Sequence, residues 1–358
     1  MYDFNKADLL GVSINAILNN SHLEFIADCN INTGEVNEKR KTAKYLGIDN
    51  FCTIINDEYV NFKFSFHKYF NAGQHNHNDF RVSDLVEVLA DLSAKFDINP
   101  FLTSLHNLEF GVNVELPFST KTFLNAVITY KGEEYKKETY NSRGYLLRFE
   151  FQQYELKIYD KGYQYQLGKN ILRFEIKVIK MQYLKSKGIS IKTYSDLLER
   201  KNITKMADLL CKAFSELLIY DESINLKSIK SNREREVLLN GKNPKYWHEL
   251  NNKNGNTYKK KRRIFRELVL KHGNIKIQSQ VFELLQEKLR IITEITSTTQ
   301  KRIAGYLLKF NSKSVPEITD LLATNKNNKC TRINHSSIGL KEYSVNHYCI
   351  ASEINFLK

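Results

Sequence analysis

The stretch Leu172-Arg-Phe-Glu-Ile-Lys-Val178 alternates strictly between apolar and polar residues. A period of two is typical of a β-strand that has one face in a core and the other face in water. The polar face of this strand would carry Arg173, Glu175 and Lys177. Similar alternation marks four more stretches of the first half, at 61–67, 108–116, 147–151 and 154–160. Five such strands predict one antiparallel sheet, with its apolar face on helices and its polar face open.

In other parts of the chain, apolar residues recur every three or four residues instead of every second residue. Asp84–Phe96 has this helical spacing and predicts a helix that covers the apolar face of the sheet. Beyond residue 182 helical patterns dominate, at 194–200, 205–219, 233–239, 244–251, 258–272 and 279–295. We therefore predict an α+β fold: a sheet-based domain over residues 1–182, then a mainly helical domain over residues 183–358. The tail after about residue 300 has no clear pattern.

Composition excludes several classes of protein. The 358 residues are 42% apolar and 12% aromatic, which is enough for a core and argues against disorder. No run approaches the length of apolar sequence that a membrane-spanning helix needs, and the first residues show no secretory pattern. Five scattered cysteines favour a reducing cytoplasm. The absence of a glycine-rich phosphate loop argues against a built-in nucleotide-driven motor.

Charge divides the chain unevenly. The whole sequence has 54 Lys and Arg against 40 Asp and Glu, a formal charge of +14. Residues 1–182 hold 21 basic and 23 acidic residues, and residues 183–358 hold 33 and 17, so the halves carry −2 and +16. A strongly basic half indicates a polyanionic partner, most often nucleic acid. A genome that favours lysine codons would not explain a near-neutral half beside a basic one.

One tyrosine stands out at the end of a predicted strand. Tyr159 lies between Lys157 and Lys161, directly before a glycine turn. Neighbouring ammonium groups favour the phenolate and stabilise a phosphate, so a tyrosine here could attack a phosphodiester. The chain has 20 tyrosines, so from the residues alone a structural role is the alternative.

Carboxylates on the polar face form a second group of candidates. Glu109 and Glu175 lie on neighbouring predicted strands, and Glu115 and Glu150 stand behind them. Two carboxylates on one face could hold Mg²⁺ or Mn²⁺, because hard divalent ions prefer oxygen ligands. The alternative is that each glutamate forms a cross-strand ion pair with an arginine, Arg148 or Arg173.

Histidines and cysteines offer further ligands. His67 is expected at the end of the phenylalanine-rich strand, on the polar face, and is the strongest histidine candidate for the metal site. We interpret His75 and His77, which flank Asn76, as loop residues. Four residues near the end of the sequence have types that suit zinc, but their spacing favours a structural role: Cys330, His335, His347 and Cys349.

Several of these strings occur together, in order, in one known family. Leu172-Arg-Phe-Glu175 is followed by Tyr183-Leu-Lys-Ser-Lys-Gly-Ile189, and upstream stand Ser65-Phe-His-Lys68 and Gly73-Gln-His-Asn76. Over roughly residues 60–275 the sequence resembles the gene II/X replication proteins of filamentous phages, which are rolling-circle nickases. It departs from the family at Asn107, where the family has an arginine.

The resemblance implies a Rep/HUH-like sheet domain with a nicking tyrosine. That tyrosine would be Tyr159, in a Tyr-x-Lys string with Lys161, and Lys157 would assist it. Glu109, Glu175 and His67 would be the ligands of Mg²⁺ or Mn²⁺. The partners would be origin duplex and single-stranded DNA, a host helicase and a host polymerase, in a bacterial cytoplasm, with the gene on a phage or a plasmid.

We expect DNA contacts from basic residues of both regions: Arg148, Arg173, Lys259, Lys260, Lys261, Arg262, Arg263 and Arg266. Two other functions remain open from the sequence. One is a metal-dependent nuclease in which water is the nucleophile. The other is a DNA-binding replication regulator without enzymatic activity, in which the sheet is a scaffold.

Overall fold

The alternating stretches form strands of a large antiparallel sheet. The computed structural model describes residues 1–30, 32–140 and 143–311, and within them twelve strands occur. They are β1 (Tyr2–Leu9), β2 (Glu24–Cys29), β3 (Val36–Tyr45), β4 (Ile48–Ile55), β5 (Tyr59–Ser65), β6 (Thr103–Glu115), β7 (Val127–Tyr130), β8 (Lys136–Tyr140), β9 (Arg143–Glu150), β10 (Tyr154–Asp160), β11 (Ile171–Val178) and β12 (Leu217–Ile219).

Ten of these strands lie in one sheet, in the order β2-β3-β4-β5-β1-β6-β11-β10-β9-β8. The neighbours pair antiparallel, and β7 and β12 form a separate small sheet. Because β1 lies between β5 and β6, the first strand of the chain occupies the middle of the sheet. The predicted α+β class, with an antiparallel sheet and a helical second half, is confirmed.

The described helices are α1 (Ile14–Leu18), α2 (Phe66–Phe70), α3 (Val82–Phe96), α4 (Thr120–Ala126), α5 (Lys161–Gln164), α6 (Gln182–Ser186), α7 (Arg200–Glu216), α8 (Asn232–Gly241), α9 (Pro244–Lys253), α10 (Gly255–His272), α11 (Ile277–Thr293) and α12 (Ser297–Asn311). The predicted cover helix is α3, which buries one apolar side. The expected helix over 194–200 is a short 3₁₀ turn, Ser195–Leu198, that leads into α7.

The apolar face of the sheet packs on helices of both halves of the chain. At one end, Phe51, Phe62 and Phe96 bring α3 against β4 and β5, with ring centroids 4.7 to 5.5 Å apart. Near the middle, α11 packs on β6 and on α7. Aromatic side chains of this size bury large apolar areas, so these contacts fix the helices on one face and leave the other face for the site.

The described residues all belong to one unit, Met1–Ser314. The main core takes side chains from both sides of residue 182, for example Phe174 and Phe214, whose rings are 5.5 Å apart. The predicted division at residue 182 stays a prediction, but the apolar core runs across it.

A second apolar cluster lies in the basic half. Its centre is Trp247 on α9, whose ring packs on Phe265 of α10 at 5.3 Å and whose Nε1 donates to the carbonyl of Gly241 at 2.7 Å. Three helices, α8, α9 and α10, thus share one small core. Among the described residues, no helix is long and apolar enough to cross a membrane.

One local expectation is wrong. His67 does not end a strand on the polar face, because β5 stops at Ser65 and α2 begins at Phe66. The Ser65 hydroxyl accepts a hydrogen bond from the backbone N–H of Lys68 at 3.0 Å, which caps the helix. A serine in this position satisfies an N–H that would otherwise lack a partner, so the chain turns here instead of continuing as a strand.

Candidate active site

Tyr159 stands where β10 ends and α5 begins. The Asp160 carboxylate accepts from the backbone N–H of Tyr163 at 2.8 Å and caps the short helix, so Lys161 follows the strand at once. Gly162 lets the backbone of Lys169 pack against α5, because a Cβ there would lie 1.8 Å from the carbonyl oxygen of Lys169. Tyr159 and Lys161 are both buried, and Lys161 Nζ donates to Tyr159 Oη at 3.3 Å.

The two predicted carboxylates approach a single ammonium group. Lys157 Nζ lies 3.1 Å from Glu109 Oε1 and 3.4 Å from Glu175 Oε1. Strand register explains part of this arrangement, since Lys157 pairs with Glu175 and Glu175 pairs with Gly111 of β6. A Cβ at Gly111 would lie 2.5 Å from that of Glu175, so the glycine leaves the room in which the Glu175 side chain stands.

Arg173 joins this group to the first strand. Its guanidinium donates to Glu175 Oε2 at 2.8 Å, to Asp3 Oδ2 at 3.0 Å and to Asn113 Oδ1 at 3.3 Å. The ion pair with Glu175 that the sequence left as an alternative is therefore present. Arg173 is buried, and the carboxylates that surround it raise its pKa against the opposing effect of burial.

Asp3 is the third carboxylate of the cluster, and no pattern in the sequence indicates it. It is buried and accepts hydrogen bonds from Ser65, Asn76 and Arg173. The pairing of β1 with β6 shifts register between Tyr2 and Asn5, and both Asp3 and Phe4 line the same cleft. Such a β-bulge turns a side chain toward a face that simple alternation would not assign to it.

Burial and neighbouring charges shift the pKa values of these groups in different directions. Burial, and next the Glu175 carboxylate, raise the pKa of Glu109 to about 7. Burial would also raise the pKa of Glu175, but Lys157 and Arg173 hold it below the ordinary value. Burial lowers the pKa of Lys161 to about 8. Near neutral pH, Glu175 is therefore ionised, and Glu109 and Lys161 can each exchange a proton.

The histidines considered as ligands, His67, His75 and His77, lie near this cluster. His67 Nε2 lies 2.7 Å from Asn78 Oδ1, its ring stacks on Phe80, and burial lowers its pKa to about 3. His75 and His77 stack on each other with centroids 4.0 Å apart, between α2 and α3. Within the part of the chain that the structure describes, no group of three His, Cys, Asp or Glu residues is arranged to hold a metal ion.

The residues present fit a divalent ion in part. Glu109 and Glu175 point at one position, and burial, with the nearby Glu175 carboxylate, raises the pKa of Glu109, so a cation bound there would favour its ionised form. In this structure the Lys157 ammonium contacts both carboxylates at that position. His67 is engaged by Asn78 and Phe80, so its role as a ligand stays a prediction.

A cleft of about 340 Å³ runs across this face of the sheet. Its walls include Glu109, Tyr159 and Glu175 near the centre, with Lys63 from β5 and Arg148 from β9. Glu115 and Glu150 are not among its lining residues and pair with Lys169 and Lys136 instead. The cleft thus combines a tyrosine, carboxylates and ammonium groups on one rigid surface.

The predicted DNA contacts differ in their surroundings. Arg148 lines the cleft and pairs with Glu138 at 2.7 Å, whereas Arg173 lies inside the buried cluster. Of the predicted contacts on α10, Lys259, Lys260 and Arg263 are exposed. Lys261 and Arg262 of the same helix are half-buried.

Arg266 differs from its neighbours on α10. Its guanidinium donates to the carbonyls of Ser215 and Leu217, the latter at 2.9 Å, where α7 ends. It therefore ties two helices of the basic half together. The cysteine and histidine group from Cys330 to Cys349 lies outside the described residues.

A scan of protein-family models and a search of curated proteins find no match to the chain. Among solved structures, the chain is similar to a rolling circle replication initiator protein from Geobacillus stearothermophilus. The two are 10% identical with a TM-score of 0.34, and the match covers 66% of this chain and 90% of the other. The likeness is a distant one of fold alone, and no activity or residue role follows from it.

Proposed function

We propose that the protein initiates rolling-circle DNA replication by nicking and rejoining origin DNA through a covalent 5′-phosphotyrosine. The observation that carries the proposal is the contact between Tyr159 Oη and Lys161 Nζ at the wall of a cleft that also holds Glu109, Glu175 and Lys157. The sequence resemblance to phage nickases supports it independently. The basic α10 supports a DNA partner.

The reaction would begin with a proton transfer. Because burial lowers the pKa of Lys161 to about 8, a fraction of this side chain is an uncharged amine at neutral pH and can accept the Tyr159 proton. The phenol oxygen then attacks the phosphorus, the bond from phosphorus to the 3′ oxygen breaks, and the departing oxygen takes a proton from water. The resulting ammonium of Lys161 and that of Lys157 stabilise the phosphate.

The phosphotyrosine conserves the energy of the broken bond. A 3′-hydroxyl can attack it, release Tyr159 and reseal the strand without ATP. Mg²⁺ or Mn²⁺, held by Glu109 and Glu175, would polarise a phosphate oxygen. As in the family that the sequence resembles, a host polymerase would extend the free 3′-hydroxyl and a host helicase would unwind ahead of it in the bacterial cytoplasm.

The test is a covalent-adduct assay on a labelled origin oligonucleotide in the presence of Mg²⁺ or Mn²⁺. We expect a protein–DNA adduct that maps to Tyr159 and is lost in Tyr159→Phe. The matched control is Tyr163→Phe, an exposed tyrosine of α5 that does not line the cleft, which should form the adduct normally.

Two results would overturn the proposal in favour of the other functions. Cleavage without an adduct, unchanged in Tyr159→Phe, would indicate a nuclease that uses water. Specific DNA binding without cleavage, unchanged in Glu109→Ala and Glu175→Ala, would indicate a regulator.

A further inference from the structure

Two lysines face each other on the open side of the sheet, beside the cleft. Lys6 of β1 and Lys63 of β5 are direct cross-strand partners, and both side chains are exposed. Side chains in such pairs stand about 5 Å apart, and like charges placed directly opposite destabilise a sheet. The pair therefore costs stability unless a third, negatively charged group lies between or above the two ammonium groups.

The described part of the protein does not provide that group. Neither lysine forms an ion pair with a described residue, although 23 ion pairs occur among the described residues. Asp8, two positions further along β1, accepts from Asn61 at 2.7 Å and pairs with His106 at 2.7 Å. The positive charge of the pair is therefore directed to solvent.

The pair adjoins the site already described. Lys63 lines the cleft, and Lys6 is the register partner of Asn107, two residues before Glu109 on β6. Phe4, two residues before Lys6, is half-buried and also lines the cleft. An aromatic ring beside exposed lysines on a rigid face is the combination that holds single-stranded nucleic acid, since bases stack on the ring and phosphates contact the cations.

We propose that Phe4, Lys6 and Lys63 form the track on which single-stranded DNA lies as it enters the cleft of Tyr159. This inference rests on the proposed function and adds the path of the substrate to it. Lys6 and Lys63 bind phosphates, and Phe4 stacks on a base. The track crosses β1 and β5, on the opposite side of the carboxylates from Arg148.

The test measures equilibrium binding of a labelled dT oligonucleotide to the full chain with Tyr159→Phe, which prevents cleavage. In Lys6→Gln/Lys63→Gln we expect affinity to fall about tenfold and the slope of log K against log salt to become shallower by about 1.4, since a single strand loses about 0.7 per phosphate contact. In Phe4→Leu we expect about tenfold weaker binding with an unchanged slope.

The control variant is Lys41→Gln/Lys95→Gln, which removes the same charge from lysines already paired with Asp57 and Asp91. It should bind as the parent does. Denaturant unfolding separates a binding role from a structural one, because Lys6→Gln/Lys63→Gln relieves repulsion and should unfold at the same or a higher denaturant concentration.

Three outcomes would overturn the track: a parental salt slope in Lys6→Gln/Lys63→Gln, the same loss of slope in the control, or the same loss of affinity for duplex DNA. Loss of stability in parallel with binding would also overturn it. The binding assay needs no cleavage. The proposed track can therefore be correct even if no adduct forms, and an adduct can form even if the proposed track is wrong.

Discussion

At the scale of single residues, the site depends on groups whose charge is changed by burial. Lys161 is buried beside Tyr159, and its pKa is lowered to about 8 by the loss of water. Arg173, equally buried, keeps its charge because Glu175 and Asp3 surround it. The same sheet face thus holds one cation that can lose its proton and one that cannot.

We predict that the rate of adduct formation rises with pH through the pKa of Lys161. The uncharged amine accepts the Tyr159 proton, and this form predominates above a pH of about 8. Single-turnover rates over a pH series should therefore increase and then level off. Lys161→Arg, which stays charged, should lose about 10²-fold to 10⁴-fold in rate and the rise with pH.

Lys169→Arg is the control for this substitution, because Lys169 is exposed and pairs with exposed Glu115. Its profile should match that of the parent protein. A rate that falls as pH rises through 8 would contradict the prediction and give the ammonium form of Lys161 the essential role.

At the scale of elements, two glycines shape the site. Gly162 lets the backbone of Lys169 approach α5, and Gly111 leaves space for Glu175 on the adjacent strand. Each is a place where a side chain would meet a neighbouring backbone or Cβ atom. The functional side chains can therefore approach one another partly because these two positions carry no side chain.

We predict that Gly111→Ala destabilises the protein by about 2 kcal/mol and reduces adduct formation, because the new Cβ would lie 2.4 Å from the carbonyl oxygen of Phe174. Denaturant unfolding measures the first effect. Gly305→Ala on α12 is the control: its Cβ would meet no described atom within 4 Å, and alanine favours a helix by about 0.5 to 1 kcal/mol. Equal effects of the two substitutions would refute this account.

The sequence predicts elements well where alternation is strict. Strand β10 has the predicted bounds, and β11 begins one residue earlier than predicted. Strand β1 was missed because its bulge puts two successive residues, Asp3 and Phe4, at the cleft. Strand β3 was missed because its charged residues hide the alternation. No local pattern reveals Asp3, whose partner Arg173 is 170 residues away.

The residues of the candidate site were likewise predicted from the sequence only in part. The strand positions of Lys157, Glu109 and Glu175 could be deduced from period-two patterns, but their approach to one point depends on the strand order β6-β11-β10. His67 was misplaced because the Ser65 cap outweighs the alternation of the preceding strand. The nucleophilic role of Tyr159 comes from the resemblance and stays a prediction.

At the scale of the whole molecule, charge is divided between a near-neutral sheet and a basic helical half. The exposed basic residues of α10 lie on a helix that packs through Trp247 and Phe265, so they project from a fixed support. We infer that this half supplies duplex affinity, whereas the sheet face receives the single strand. Phosphate contacts of this kind respond to salt.

We predict that Lys259→Gln/Arg263→Gln weakens duplex binding and makes the salt slope shallower by about 1.8, because each duplex phosphate contact contributes about 0.9. Arg266→Gln should act differently, since its guanidinium donates to carbonyls at the end of α7. We expect that variant to unfold more easily. Anisotropy titrations over a salt series, with unfolding curves, distinguish the two, and an unchanged slope in the double variant would contradict the prediction.

The position of β1 has a consequence for the newly made chain. This strand is synthesised before its neighbours in the sheet, β5 and β6, and Asp3 can pair with Arg173 only when β11 has been synthesised. A nascent chain that is shorter than this cannot assemble the site. The nicking reaction proposed above is therefore out of reach of the nascent chain until β11 has been made.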